Sequence, residues 1–272
     1  MVSESYFTNG IHVLSYLNEP KKDKWLLFIH GAWHGAWCYE KNFLPYFNSK
    51  GFDCYALDLR SHGKSESKGH FRFISLNNYV QDVHTVVQEL KKDRKVILIA
   101  HSMGGIVVQK YLTKYTDEIE SAVLLAPAST WGVRSFTFKG VLLHHPLIYL
   151  KMNITLSMYP LVKSFKLYKE IFYYSESDEK LLHEYHSQTQ NESFRAIFSM
   201  LYTPVKYKKI TTPVLIVGGE NDQIFKMKHL EKLSSKLPKG EVTFFENTGH
   251  NLMVEKDWQK VANTIINWIQ KR

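Results

Sequence analysis

Two cysteines, Cys38 and Cys54, are all that this chain of 272 residues contains. Neither lies in a C-x-x-C pair or at metal-ligand spacing, which excludes a disulfide framework, a structural zinc and a dithiol centre; two buried thiols are expected. Long apolar runs are also missing. The most apolar stretch, Val141 to Val162, is broken by His144, His145, Pro146, Lys151, Asn153 and Pro160, whereas a membrane-spanning helix needs about 20 apolar residues in succession. The start of the chain, Met1-Val2-Ser3-Glu4-Ser5, lacks the basic stretch and apolar run of a secretory signal, so a cytoplasmic location is expected.

No nucleic-acid-binding motif accompanies the basic excess. The formal charge is +9, but the lysines are scattered in pairs such as Lys208-Lys209, a pattern that solvated faces explain, and nucleic acid is not expected as a partner. His183 and His186 stand at i, i+3 with no third ligand nearby, which reads as a solvated helix face. Neither a metal nor a cofactor is expected.

What the chain does have is a recurrence of short Val, Ile, Leu and Phe runs separated by helical patterns. Such runs point to an α/β fold, a mostly parallel central sheet with helices on both faces. The expected strands are Trp25 to Ile29, Cys54 to Leu57, Val96 to Ala100, Ala122 to Leu125, Val214 to Gly218 and Val242 to Phe245. A hairpin over Tyr6 to Leu17, turning near Asn9-Gly10, adds antiparallel strands at the edge. Leu76, Tyr79, Val80, Val83, Val86, Val87 and Leu90 repeat at helical spacing behind Ser75, a good N-cap. Further helices are expected over Gly104 to Tyr115, Met227 to Leu237 and Asp257 to Gln270. Between Ser129 and Tyr207 the alternation breaks into helical or irregular apolar stretches, too long for a loop and read as an inserted helical cap. The expected division is therefore a core of residues 1–128 and 208–272 with a cap over 129–207. Aromatic residues make up 14% of the chain, and Phe136, Phe138, Tyr149, Tyr159, Phe165, Tyr168, Phe172, Tyr173 and Tyr174 fall in this cap, as its own core or as pocket lining.

The chemistry concentrates at strand ends. Val96 to Ala100 runs into His101-Ser102-Met103-Gly104-Gly105 and then a helix, so that Ser102 sits on a tight strand-to-helix turn facing a helix N-terminus. Ala100 stands where the G-x-S-x-G pattern has its first glycine, and is still small. His30-Gly31-Ala32-Trp33 follows the first buried strand. Val214 to Gly219 leads to Glu220-Asn221-Asp222, and Asn247-Thr248-Gly249-His250-Asn251 follows the last strand. A serine hydroxyl is a weak nucleophile at its own pKa and needs an imidazole to take its proton and a carboxylate to hold that imidazole.

In this order the motifs resemble the α/β-hydrolase serine hydrolases, over roughly residues 25 to 128 and 204 to 270. The resemblance implies Ser102 as nucleophile, His250 as general base and Asp222 as the acid that orients it, with Glu220 a minor alternative for the acid. It also implies an oxyanion hole made by the backbone N–H groups of Ala32 and Met103, with His30 structural. Asp58-Leu59-Arg60-Ser61-His62-Gly63-Lys64-Ser65 resembles the family's D-x-R-G-x-G-x-S loop, a feature of fold and not of reaction.

The run from His30 to Cys38 is similar to plant methylesterases and their hydroxynitrile-lyase relatives. Those lyases carry threonine at the position of Gly31 and lysine at that of Asn251, which disfavours cyanohydrin cleavage here. The His101 to Gly105 run is similar to monoacylglycerol lipases and carboxylesterases. The expected activity is hydrolysis of a small-molecule, apolar carboxylic ester through an acyl-enzyme. A C–C bond or lactone hydrolase with the same triad, and a ligand-binding receptor of the same fold, are the alternatives. A further reading has the basic surface making peripheral contact with anionic lipid. Acyl length, alcohol group and oligomeric state carry no motif.

Overall fold

The structure, a computed structural model, describes residues 2–20, 24–67, 69–91, 95–174 and 178–272. Its centre is an eight-stranded sheet of order β1-β2-β4-β3-β5-β6-β7-β8, with β1 Val2–Phe7, β2 Ile11–Tyr16, β3 Lys24–Ile29, β4 Asp53–Leu57, β5 Lys95–His101, β6 Ser121–Leu125, β7 Val214–Gly219 and β8 Gly240–Phe245. From β4 to β8 all neighbours run parallel, while the β1–β2 hairpin and its junction with β4 are antiparallel. The hairpin turns where the sequence places it, with Asn9 and Gly10 at φ 68° and 69°, the left-handed values that a tight reversal requires.

The inner strands bury successive residues, from Trp25 to Ile29 and from Val96 to Ala100, so both faces of the sheet are covered. Helix α1 (Trp37–Glu40) and helix α2 (Phe43–Ser49) follow β3, α3 (Leu76–Lys91) follows β4, and α4 (Met103–Tyr115) leaves β5 directly. Ser75 caps α3 reciprocally, its Oγ accepting from the Asn78 N–H while Asn78 Oδ1 accepts from the Ser75 N–H at 2.9 Å. Towards the C-terminus, α10 (Met227–Ser234) and α11 (Trp258–Gln270) flank β8. Trp258 lies edge-on to Tyr46 at 5.3 Å, joining α11 to α2. Both cysteines are free and buried.

Strand order decides where a ligand meets the sheet. From β3 the chain steps outward to β4, then returns to lay β5 on the other side of β3 and continues through β6, β7 and β8. The carboxyl ends of β3 and β5 therefore flank a topological switch point, where open α/β sheets hold their ligands. Gly31-Ala32 leaves one of these ends and Ser102 the other.

Between β6 and β7 the described residues form helices and no strand: α5 (Thr130–Ser135), a π-helical turn over Phe136–Leu142, α6 (Pro146–Thr155), α7 (Phe165–Phe172), α8 (Glu179–Ser187) and α9 (Phe194–Met200). His183 is exposed, but His186 is not on a solvated face: it is half-buried and its Nε2 lies 2.8 Å from the Val162 carbonyl, inside the cap's own packing.

A strap after α8 ties this helical layer down. Gln190 accepts from the Gly63 N–H, donates to the Ser61 carbonyl, and gives its own backbone N–H to the Trp33 carbonyl. Glu192 is fully buried; it accepts from Tyr79 Oη at 2.7 Å and pairs with His62 Nε2 at 3.0 Å. Burial opposes the His62 imidazolium, but the Glu192 carboxylate, with the Arg60 carbonyl and Asp58, raises the His62 pKa on balance. Burial likewise opposes the Glu192 carboxylate, but the His62 charge with the hydrogen bonds from His62, Tyr79 and Ser193 lowers its pKa.

The raised histidine stabilises the fold at low pH and loses its contribution as pH rises through its folded pKa. The lowered glutamate stabilises at high pH and loses its contribution as pH falls through its own. The pair is thus fully effective between the ordinary values of 4.5 and 6.5. Glu192→Gln is expected to cost about 3–5 kcal/mol in that window, with the gap to wild type narrowing on both sides, as read by urea unfolding across pH.

Candidate active site

The turn from β5 into α4 is made within one residue. Ser102 has φ 51° and ψ −116°, a backbone conformation that costs a non-glycine residue about 1–3 kcal/mol and persists only where its surroundings enforce it. Here they do. The Ser102 N–H donates to the Leu125 carbonyl at 2.9 Å, and the Ser102 carbonyl accepts from Gly105 and Ala128, both at 2.9 Å. Gly104 lets α4 approach β3: a Cβ there would lie 2.6 Å from the His30 carbonyl oxygen and 2.7 Å from that of Ile29.

Beside the serine, the loop after β3 is fixed by two imidazoles. His30 Nδ1 meets the Gly31 carbonyl at 2.8 Å and its Nε2 accepts from the Leu59 N–H. His34 Nδ1 meets the Ala32 carbonyl at 2.7 Å. With the carbonyls held, the N–H groups of Ala32 and Met103 have no acceptor among the described residues, and both residues line the same cavity as Ser102. Burial pushes His30 down to about 4, helped by His62, and pushes His34 down to about 3. His101 is also held well below the ordinary range, by burial and then by His250. All three are neutral at pH 7.

Asp222 and His250 come together from the loops after β7 and β8. Both are fully buried, and His250 Nδ1 lies 2.8 Å from Asp222 Oδ2. Asp222 Oδ1 accepts from the N–H groups of Ile224 and Phe225 at 2.7 and 3.1 Å, so the carboxylate is held at three points and Nδ1 acts as donor. That leaves Nε2 as the acceptor, and it is buried with no hydrogen-bond partner among the described residues. The His250 carbonyl meets His101 Nε2 at 3.1 Å, linking the loop to the residue before Ser102. The His101 ring, one residue before Ser102, lies 4.8 Å from the His250 ring between centroids. Glu220, the alternative for the acid, is exposed, and among the described residues it is Asp222 that pairs with His250.

Several anchors of this site were invisible in the sequence. The Phe172 carbonyl, at the end of α7, accepts from the N–H groups of both His250 and Asn251. Glu255 Oε1 accepts from Gly249 and Tyr174 at 2.8 and 2.9 Å, binding the histidine loop to the cap. Asn251 donates to Tyr173 Oη at 3.0 Å. No periodicity or motif marks them, since a backbone carbonyl leaves no trace in residue identity.

The cavity over Ser102 has a volume of about 160 Å³ and no charged residue in its lining. Of the nine cap aromatics, Phe136, Phe138 and Tyr149 line it; Tyr168 and Phe172 are buried in the cap's packing instead. The sequence reading passed over Phe194, Phe198 and Tyr202, which also line it.

Against known proteins, a family model described as "Serine aminopeptidase, S33" matches residues 20–257. The methylesterase MES16 of Arabidopsis thaliana, named for pFDCC, is 37% identical over 100 residues, 37% of this chain and 37% of that protein. The chain thus spans well under half the length of this plant relative. A probable lysophospholipase L2 of Haemophilus influenzae is 28% identical over 78% of this chain and 72% of its own. The solved monoacylglycerol lipase of Paleococcus ferrophilus superposes with a TM-score of 0.70 at 21% identity, over 98% of both chains, a likeness of fold.

Because the atoms facing the Gly104 position are backbone carbonyls that cannot swing away, Gly104→Ala is expected to destabilise the protein by about 1–3 kcal/mol. Urea unfolding at neutral pH checks this.

Proposed function

We propose, for a chain that belongs to the α/β-hydrolase family described as serine aminopeptidase S33, hydrolysis of a small, apolar carboxylic ester through an acyl-enzyme, with residues 1–128 and 208–272 as catalytic core and 129–207 as cap. The observation that carries this reading is Ser102 on its strained turn, at the floor of an uncharged cavity that it shares with the partnerless N–H groups of Ala32 and Met103.

In this scheme Ser102 Oγ attacks the ester carbonyl carbon while His250 Nε2 takes the hydroxyl proton. Asp222 holds the imidazole in the tautomer that makes this possible and stabilises the imidazolium that results. The carbonyl oxygen becomes an oxyanion in reach of the Ala32 and Met103 N–H groups, each such donor contributing about 3–4 kcal/mol in comparable sites. Collapse breaks the C–O bond, and His250 returns the proton to the leaving alcohol. Water, deprotonated by His250, then attacks the Ser102 ester; collapse breaks the bond to Ser102 Oγ, which takes the proton back from His250, and the acid is released. Protein groups and water balance every step.

Peptide substrates fit the cavity less well than esters. An aminopeptidase must compensate the substrate's α-ammonium, and burying an unpaired charge is costly; the lining side chains with polar atoms are Trp33, Ser102, Thr137, Tyr149, Asn153 and Tyr202, and no carboxylate is among them. The plant methylesterase and bacterial lysophospholipase likenesses point the same way. A cavity of about 160 Å³ is close to the roughly 150 Å³ apolar cavity that holds one benzene ring, which favours an acyl group of about six carbons.

Turnover of p-nitrophenyl esters from acetate to palmitate tests this reading. The expected kcat/KM is greatest near hexanoate and falls towards palmitate. Ser102→Ala should lose about 10⁴–10⁶-fold in kcat, and Asp222→Asn about 10⁴-fold, because the wrong imidazole tautomer then faces the serine. No turnover of any ester by the wild type would instead favour a C–C or lactone hydrolase or a receptor.

A further inference from the structure

The stretch from Val141 to Val162 is too interrupted to span a membrane, and no helix among the described residues is long and apolar enough to do so. Within it, however, α6 turns large apolar side chains outward. Leu147, Leu150 and Ile154, at i, i+3 and i+7, share one helical face and are 80%, 54% and 72% exposed, with Leu143 just before the helix equally open. Soluble proteins seldom leave such a row uncovered without a partner.

Two observations say what covers it. The first is charge. From Ser121 to Lys169 the sequence contains no aspartate or glutamate, while it contains Arg134, Lys139, Lys151, Lys163, Lys166 and Lys169. Of these, Lys139, Lys151, Lys163 and Lys166 are exposed and form no ion pair among the described residues. Glu170, beside His144 and His145, is the nearest carboxylate that follows in sequence; lysines flanking an apolar row over a stretch that otherwise has none complement an anionic lipid surface. The second is continuity with the cavity. The opposite side of α6 supplies Tyr149, Met152 and Asn153 to the lining, and Phe138, Phe198 and Tyr202 both line the cavity and reach solvent.

We infer that the outer face of α6, with Leu143 and the flanking lysines, docks the cap onto an anionic phospholipid bilayer, the leucines entering the acyl boundary and Lys139 and Lys151 meeting the headgroups. Docked in this way, the cavity mouth lies at the surface from which an apolar substrate would partition. Binding is read without turnover, so it stands or falls separately from the ester reading.

The test is sedimentation of the full chain with phosphatidylcholine vesicles, with and without phosphatidylserine, at low ionic strength and with added salt. Wild type is expected to pellet with the serine-lipid vesicles, less so in salt, and weakly with phosphatidylcholine alone. The triple variant Leu147→Ser, Leu150→Ser and Ile154→Ser should lose at least about tenfold in partitioning. Its cooperative thermal unfolding should be retained, because exposed side chains leave no cavity behind. Lys139→Gln with Lys151→Gln should remove much of the preference for anionic vesicles. A wild type that stays in the supernatant with anionic vesicles at low salt overturns the inference, as does a triple variant that pellets like wild type. So does light scattering that finds a wild-type dimer abolished by the triple variant while neither protein pellets, since the face then belongs to a second copy of the chain.

Discussion

A single-residue reversal between β5 and α4 is the constraint on which the rest of the site depends. With Ser102 held at φ 51° and ψ −116°, the helix must start at once, and starting it leaves the Met103 N–H without an intrahelical acceptor. The helix can start there only because Gly104 lies against the carbonyls of Ile29 and His30, and Gly105 against Pro127. The same approach brings the β3 loop, and the Ala32 N–H with it, to the serine. A strain of about 1–3 kcal/mol is thus offset by close packing among three strand ends, and the positions of both free donors follow from it.

Electrostatic order around this turn is kept by neutral groups. His30, His34 and His101 each face a carbonyl of the site's own loops, those of Gly31, Ala32 and His250. Burial keeps all three imidazoles uncharged at pH 7. Neutral donors can hold carbonyls without placing a fixed cation beside His250, whose own conversion to a cation would be opposed by one. His101, whose ring lies 4.8 Å from that of His250, and His30 and His34 in the adjoining loop therefore serve as staples, and among the described residues the carboxylate paired with the His250 ring is Asp222.

Much of this was legible from residue order. Parallel strands buried on both faces read as unbroken apolar runs, so the six central strands and the Asn9-Gly10 hairpin could be located before the structure. Ser102, Asp222 and His250 stood out because each follows such a strand, and the structure brings the last two within 2.8 Å. The sequence left Asp222 and Glu220 separated by spacing alone; burial separates them physically. The cap was legible only as a break in a pattern. Its attachment rests on Gln190, Glu192 and Glu255, polar side chains whose partners are 60 or more residues away or are backbone atoms, and neither circumstance leaves a local signature. Of these, Glu192 is the least readable, because an isolated glutamate in a polar stretch is ordinarily a solvated one.

Helix α6 shows why the cap resists reading in this way. Amphipathic periodicity exists only where one side of a helix meets water and the other meets protein. Tyr149 and Met152 face the cavity and Leu147, Leu150 and Ile154 face away from it, so apolar residues occupy both sides and the period vanishes. A helix apolar on two sides belongs by pattern to a core, yet this one lies at the surface, with Lys151 exposed. The contradiction disappears if the outer medium is itself apolar where the helix meets it. The cap then has two apolar faces for one reason: the cavity and the surface that feeds it take the same kind of molecule.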